Sequence, residues 1–385
     1  MTDLEHTKRI LNDLISFPTI SSDSNLAMID YLSARLTEAG ARVEVFGDPS
    51  GTKANLFATI GPDVDGGIVL SGHTDVVPVA DQDWTSDPFE MVERDQLLFG
   101  RGTCDMKGFI AAAVAMAPTF AEAAGSRPIH FAFTHDEEVG CIGAQALVEE
   151  LRKRDIRPGV TIIGEPTSMR IIEGHKGCCE YTTHFTGLEG HGANPDLGVN
   201  AVEYATRYVS RLLELREALK ARTPPGSRFV PPWTSINVGS VIGGVAHNVI
   251  AGKAEVEWDM RPVQKSDAAF VHDDLNAYCN DVLLPAMRAV HPGSSITTEA
   301  LGDVAGLEPV DDNEAFEIVS ALTGSNQADV VPFGTEAGIF QAMGMSVVVC
   351  GPGSIEQAHK PDEFIALDQL EQCLEMLRRL AHRLD

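Results

Sequence analysis

The chain has 385 residues, 44% hydrophobic and 22% charged, enough to bury a large core in two domains or in one domain carrying an insertion. Acidic residues outnumber basic ones 56 to 29, and the net charge of -27 argues against a nucleic-acid footprint or an anionic membrane as partner. No apolar run is long enough to span a membrane, no leader pattern opens the chain, and seven scattered cysteines without a CxxC pair fit reduced thiols in a cytoplasm.

Leu4, Ile10, Leu11, Leu14 and Ile15 fall at helical spacing and predict a helix over 4–15, followed by another over 28–38. Residues 68–71 form a short apolar run that reads as a buried strand. An alanine-rich helix is expected over 107–124, then similar strands over 129–134 and 160–163. The middle of the chain changes character. Helical patterns over 198–222 and 266–290 flank a Pro-rich stretch at 224–232, a weak alternation at 234–241 and a clean one at 254–260. In the last of these Ala254, Val256, Trp258 and Met260 oppose Glu255, Glu257 and Asp259, the mark of a strand with one wet face. A further buried strand is expected over 346–350. A last helix over 367–384 carries Leu370, Leu374, Leu377, Leu380 and Leu384 on one face, with Asp368 and Glu371 spaced as a capping box. The fold class expected is α/β: a mixed, mostly parallel sheet flanked by helices, formed by 1–177 and 298–385. An inserted α+β domain is expected over 178–297.

The chemistry-bearing residues cluster just after the predicted strands. His73 and Asp75 follow the first, Asp136, Glu137 and Glu138 the second, and Glu165 the third. Asp105 lies in the glycine-rich turn 100–108, and His359 lies beyond strand 346–350. In open α/β sheets ligands bind at the carboxyl ends of strands, so several segments deliver imidazoles and carboxylates to one edge. Two imidazoles with three or more carboxylates suit Zn²⁺, Co²⁺ or Mn²⁺ better than Ca²⁺. The mixture also suggests two ions, which sit about 3.5–4 Å apart and need a shared carboxylate. Asp75, two residues beyond His73, can accept the second imidazole N–H. Of the neighbours Glu137 and Glu138, one can bind a metal while the other faces a water whose proton it takes. The glycine turn matches neither a dinucleotide fingerprint nor a P-loop, and no GxSxG elbow is present.

The segments Ser-Gly-His-Thr-Asp (71–75), Gly-Arg-Gly-Thr-Cys-Asp-Met-Lys-Gly (100–108), Asp-Glu-Glu-Val-Gly (136–140), Gly-Glu-Pro-Thr (164–167), Gly-His-Gly-Ala-Asn-Pro (190–195) and His359 together resemble the M20 metallopeptidase family over nearly the whole chain. The resemblance implies a zinc-peptidase-like catalytic domain with a lid and dimerisation domain at 178–297. It implies Asp105 as the bridging ligand, His73 and Glu165 completing one metal site, and Glu138 and His359 completing the other. Glu137 resembles the general base, Asp75 the residue that orients His73, and His191 a lid histidine that steadies the oxyanion in dimeric members. Asn248 and Arg261 sit where the family contacts the substrate carboxylate. Within the family the likeness is to the acetylornithine deacetylase branch, carried by 174–177, 333–338 and 350–361. There Glu336 is expected to pair with a substrate δ-ammonium.

The implied protein is a cytoplasmic homodimer that binds two divalent ions, Zn²⁺ or alternatively Co²⁺ or Mn²⁺, and removes the acyl group from a small N-acyl amino acid. A succinyl-diaminopimelate desuccinylase, an aminoacylase or a dipeptidase are alternatives within the family. A catalytically silent binding protein of the same fold is the alternative from another class.

Overall fold

The computed structural model describes residues 2–384. The chain divides into two compact units. One comprises the chain up to Gly174, Pro309–Val330 and the chain from Thr335 on; the other comprises His175–Glu308 and Val331–Gly334. The insertion therefore runs about ten residues beyond the expected return at 298, because strand Ser295–Val304 pairs with Cys178–Thr186 inside the second unit. That strand is mostly exposed, so it carried little apolar signal.

The first unit is built on an eight-stranded mixed sheet. Its order is Arg42–Gly47, Ala54–Ile60, Ile129–Thr134, Ile68–His73, Val160–Pro166, Ser346–Gly351, Ile171–His175 and Ala328–Val331. The four central strands are parallel, and antiparallel pairs flank them. Ile68–His73, Ile129–Thr134 and Val160–Pro166 are buried at every position, which is why they read as unbroken apolar runs rather than alternations. Helix Gly108–Glu122 is apolar on nearly all sides and packs on the sheet, on Asp3–Ile15 and on Leu367–Ala381. The last helix begins at Leu367 with Ala366 as its N-cap and no side-chain cap. The expected capping box does not form, since Asp368 already lies inside the first turn, where its charge suits the helix dipole.

The second unit is a four-stranded antiparallel sheet in the order Ser235–Gly243, Lys253–Arg261, Cys178–Thr186 and Ser295–Val304. Helix Ala201–Lys220 covers one face, packing on Ser235–Gly243, Lys253–Arg261 and Cys178–Thr186. Tyr181, Tyr208, Leu212 and Trp258 form its core. The pattern over 266–290 resolves into helix Lys265–Tyr278, a wider turn at Cys279–Leu283 and helix Leu284–Val290. All seven cysteines are free. Among the described residues no helix is long and apolar enough to cross a membrane.

His130 is buried beside Thr59 and stacked on Phe57, and burial pushes its pKa down to about 4. The unfolded chain takes that proton near its ordinary pH of 6.5, whereas the folded chain refuses it until about pH 4. Its stability contribution is therefore complete above pH 6.5 and drains as pH falls toward 4. In thermal melts over this window, His130→Asn should flatten the acid-side fall in Tm. A slope equal to that of the unmodified chain would contradict a neutral buried imidazole.

Candidate metal centre

Five segments at the carboxyl edge of the first unit's sheet supply the site, two of them strand ends and three of them turns or loops. His73 ends its strand, buried to 1% exposure. Its Nδ1 lies 2.9 Å from the Asp75 carbonyl oxygen and 3.6 Å from Asp75 Oδ1. The N–H therefore meets the Asp75 backbone first, a departure from the expected carboxylate contact. The Asp75 carboxylate is engaged elsewhere: it accepts from the backbone N–H groups of Glu137 (3.0 Å) and Glu138 (3.3 Å) and from Ser21 Oγ (2.7 Å). Asp75 thus fixes the turn that carries both glutamates as well as the ring of His73.

With Nδ1 occupied, His73 Nε2 faces Asp105 Oδ1 at 3.0 Å and Glu165 Oε1 at 3.6 Å. The other oxygen of Asp105, Oδ2, lies 3.3 Å from His359 Nε2, which is also 3.1 Å from Glu138 Oε2. Asp105 therefore stands between two imidazoles, one oxygen toward each. Two sets of potential ligand atoms each fall within 4.8 Å: His73, Glu137 and Glu165, and His73, Asp105 and Glu138. Cys141 Sγ lies 3.5 Å from Glu137 Oε1.

Close packing sets the depth of the site. Gly164 precedes Glu165, and a Cβ there would lie 1.9 Å from the Phe109 ring, at the start of the helix behind Asp105. Gly102 has φ +83°, and a Cβ there would meet Val76 at 2.8 Å. Lys107 anchors the same turn by donating to the carbonyls of Leu14 (3.1 Å) and Phe17 (2.8 Å), and burial brings its pKa down to about 7. Gly164→Ala must displace Phe109, so a stability loss of roughly 1–3 kcal/mol is expected, accompanied by weaker cation binding. Unchanged melting together with unchanged binding would show that this contact sets nothing.

The charge of the cluster tests whether cations fit. Asp75, Asp105, Glu137, Glu138 and Glu165 gather here, and none of the five forms an ion pair with Lys or Arg among the described residues. Burial drives the pKa values of Glu137, Glu138 and Glu165 upward. Burial also acts to raise Asp105, but hydrogen bonds from His359 and His73 outweigh it and hold this carboxyl below its usual range. Hydrogen bonds to Asp105 and Glu138 push His359 up to about 10. Glu165 Oε1 is buried without a hydrogen-bond partner. Uncompensated buried carboxylates are costly, and divalent cations would offset that cost while engaging the orphaned oxygen. The donor set of imidazoles and carboxylates fits such ions.

Other expected residues fall elsewhere. Glu336 is buried to 1% exposure, with Oε1 accepting from Ser71 Oγ (2.6 Å) and Oε2 from Thr134 Oγ1 (2.8 Å). It ties two central strands together, and a carboxylate so enclosed does not fit the expected contact with a δ-ammonium. His191, Asn248 and Arg261 belong to the inserted unit. His191 and Asn248 are exposed on neighbouring segments, where the Gly192 N–H donates to the Asn248 carbonyl at 2.8 Å. Arg261 pairs with Asp259 and Glu180, at 3.2 and 3.3 Å. The roles of Ser21, Arg101 and Glu363 around the site were missed, because nothing in a lone polar residue marks the distant segment it will meet.

Imidazoles and carboxylates converging on the strand ends of an α/β sheet define a metallohydrolase. The family described as Peptidase family M20/M25/M40 matches residues 69–383, and the chain belongs to it. Acetylornithine deacetylase from Salmonella arizonae is 35% identical over 380 residues, covering 97% of this chain and 96% of its own. The same enzyme from Salmonella newport matches equally. Among solved structures, an M20 family metallo-carboxypeptidase from Sulfolobus solfataricus aligns with a TM-score of 0.71 at 16% identity, over 98% of both chains. A Bacillus subtilis protein described as a dinuclear metal binding peptidase aligns with a TM-score of 0.65 at 17% identity, over 99% of this chain and 98% of its own. The chain is thus an M20 family amidohydrolase.

Proposed function

We propose that the chain hydrolyses the amide bond of an N-acyl amino acid, specifically N2-acetylornithine to ornithine and acetate, a step of arginine biosynthesis in the cytoplasm. The observation that carries the two-ion reading is Asp105, whose two oxygens face two different imidazoles. His73, Glu165 and Asp105 would hold one divalent ion, and Glu138, His359 and Asp105 the other. Zn²⁺ is the ion of choice, with Co²⁺ or Mn²⁺ as alternatives. When bound, the ions polarise the acyl carbonyl and acidify a water.

Glu137 takes the proton of the attacking water as the new C–O bond forms. It returns that proton to the amide nitrogen as the C–N bond breaks, so acetate and the free amine leave in balance. Asp75 keeps Glu137 in place through its backbone N–H and keeps His73 facing Asp105. His191 steadies the oxyanion, Asn248 and Arg261 bind the substrate carboxylate, and the inserted unit serves as lid and as the contact of a homodimer.

The substrate assignment draws support from the 35% identity to acetylornithine deacetylases. It is tested by kcat/KM on N2-acetylornithine, N-succinyl-diaminopimelate, N-acetylmethionine and dipeptides. The highest value is expected for N2-acetylornithine. A higher value for another member of the panel would replace the substrate and leave the amidohydrolase reading standing.

A further inference from the structure

The proposed ligands are held in two different ways. His73 and Glu165 lie on strands of the central sheet, where ladder hydrogen bonds fix the backbone. Asp105 and His359 lie on loops, and His359 occupies the left-handed region with φ +63°. Something other than the sheet must set the separation of these two loops.

Glu363, four residues beyond His359 and 1% exposed, reaches into the Asp105 turn. Its Oε1 accepts from the backbone N–H groups of Cys104 (2.8 Å) and Asp105 (3.0 Å). Its Oε2 accepts from Gly102 N–H (3.0 Å) and from Arg101 Nη1 (2.8 Å). Arg101, also 1% exposed, turns back to the other loop: Nη1 donates to the Lys360 carbonyl at 3.2 Å and Nη2 to Gln82 Oε1 at 2.5 Å, with the guanidinium 5.0 Å from the Trp84 ring centroid. Gln82 Nε2 donates to the carbonyl of His359 itself at 2.9 Å. The N–H and hydroxyl of Thr85 both donate to Asp362 Oδ1. Each loop therefore grips the other through one buried ion pair and one bridging amide.

We propose that Arg101, Glu363 and Gln82 are positioning residues that clamp the Asp105 turn to the His359 loop, and so govern chiefly how tightly the cation between Asp105, Glu138 and His359 is held, while the cation at His73 and Glu165 has those two ligands on the sheet and feels the clamp only through the shared Asp105. The proposal rests on the two-cation reading above. Glu363→Gln keeps the shape but turns an amide group toward backbone N–H donors. Gln82→Leu leaves all four hydrogen bonds of Glu363 intact and removes the amide that joins Arg101 Nη2 to the His359 carbonyl, together with its contact to Trp84 Nε1.

The test is calorimetric titration of the chelator-stripped full chain with Zn²⁺, resolving the affinity of each ion, alongside circular dichroism to verify folding. Wild type should take up two ions. In Glu363→Gln one step should lose roughly 10- to 100-fold in affinity, while the other, whose ion keeps His73 and Glu165 on the sheet, falls by a clearly smaller factor. Gln82→Leu should move the same step in the same direction by a smaller factor. Both steps weakening alike in Gln82→Leu, or that variant titrating as wild type, would overturn the clamp even if Glu363→Gln fails to fold. A wild-type chain that binds fewer than two ions would remove the two-cation reading and the clamp with it.

Discussion

Glu137→Gln is expected to lower kcat by about 100- to 10,000-fold, the contribution typical of a positioned general base, while the chain keeps its full complement of cations. The glutamine preserves the volume and the backbone contact to Asp75 but cannot accept a proton. Burial raises the pKa of the native carboxyl, and the charge of His73 opposes the rise. Glu137 also lies within ligand distance of His73 and Glu165, so cation content must be measured on the same sample. A lost ion would make Glu137 a ligand, and an unchanged kcat would take it out of proton transfer.

Asp105→Ala removes the one carboxylate that belongs to both proposed cation sites. Activity should fall to that of the metal-stripped chain, and no more than one ion should remain per chain. The repulsion between two dications needs a shared anion to offset it, so no neighbouring residue can replace this one. Within 4 Å, Glu138 meets His359 and Glu165 meets His73, whereas Asp105 meets both imidazoles. Two ions retained at wild-type affinity would show that Asp105 bridges nothing.

Much of this centre was legible in the sequence because its ligands follow strands with a strong signal. Ile68–His73, Ile129–Thr134 and Val160–Pro166 are buried throughout, and so are continuous apolar runs that stand out from their surroundings. Edge strands carry no such mark. Arg42–Gly47 alternates between half-buried and exposed positions, and Ser295–Val304 is mostly exposed, so the one was unforeseen and the other misplaced a domain boundary. Glu336 and Glu363 illustrate a second limit. Both are carboxylates in a chain with 56 acidic residues, and only the folded path reveals that each is buried against hydroxyls or backbone N–H groups from distant segments. Residue type and strand-end placement located the cluster of imidazoles and carboxylates, whereas the contacts that aim them come from chain segments that sequence distance keeps apart.

The account's central claim is that hydrolysis depends on two cations held by this cluster. It is tested most directly by stripping the chain with a chelator and restoring Zn²⁺ stepwise while following hydrolysis of N2-acetylornithine and bound metal together. The stripped chain should be inactive, and the rate should rise to saturation as two ions bind per chain. A stripped chain that hydrolyses its substrate at the full rate would contradict the account.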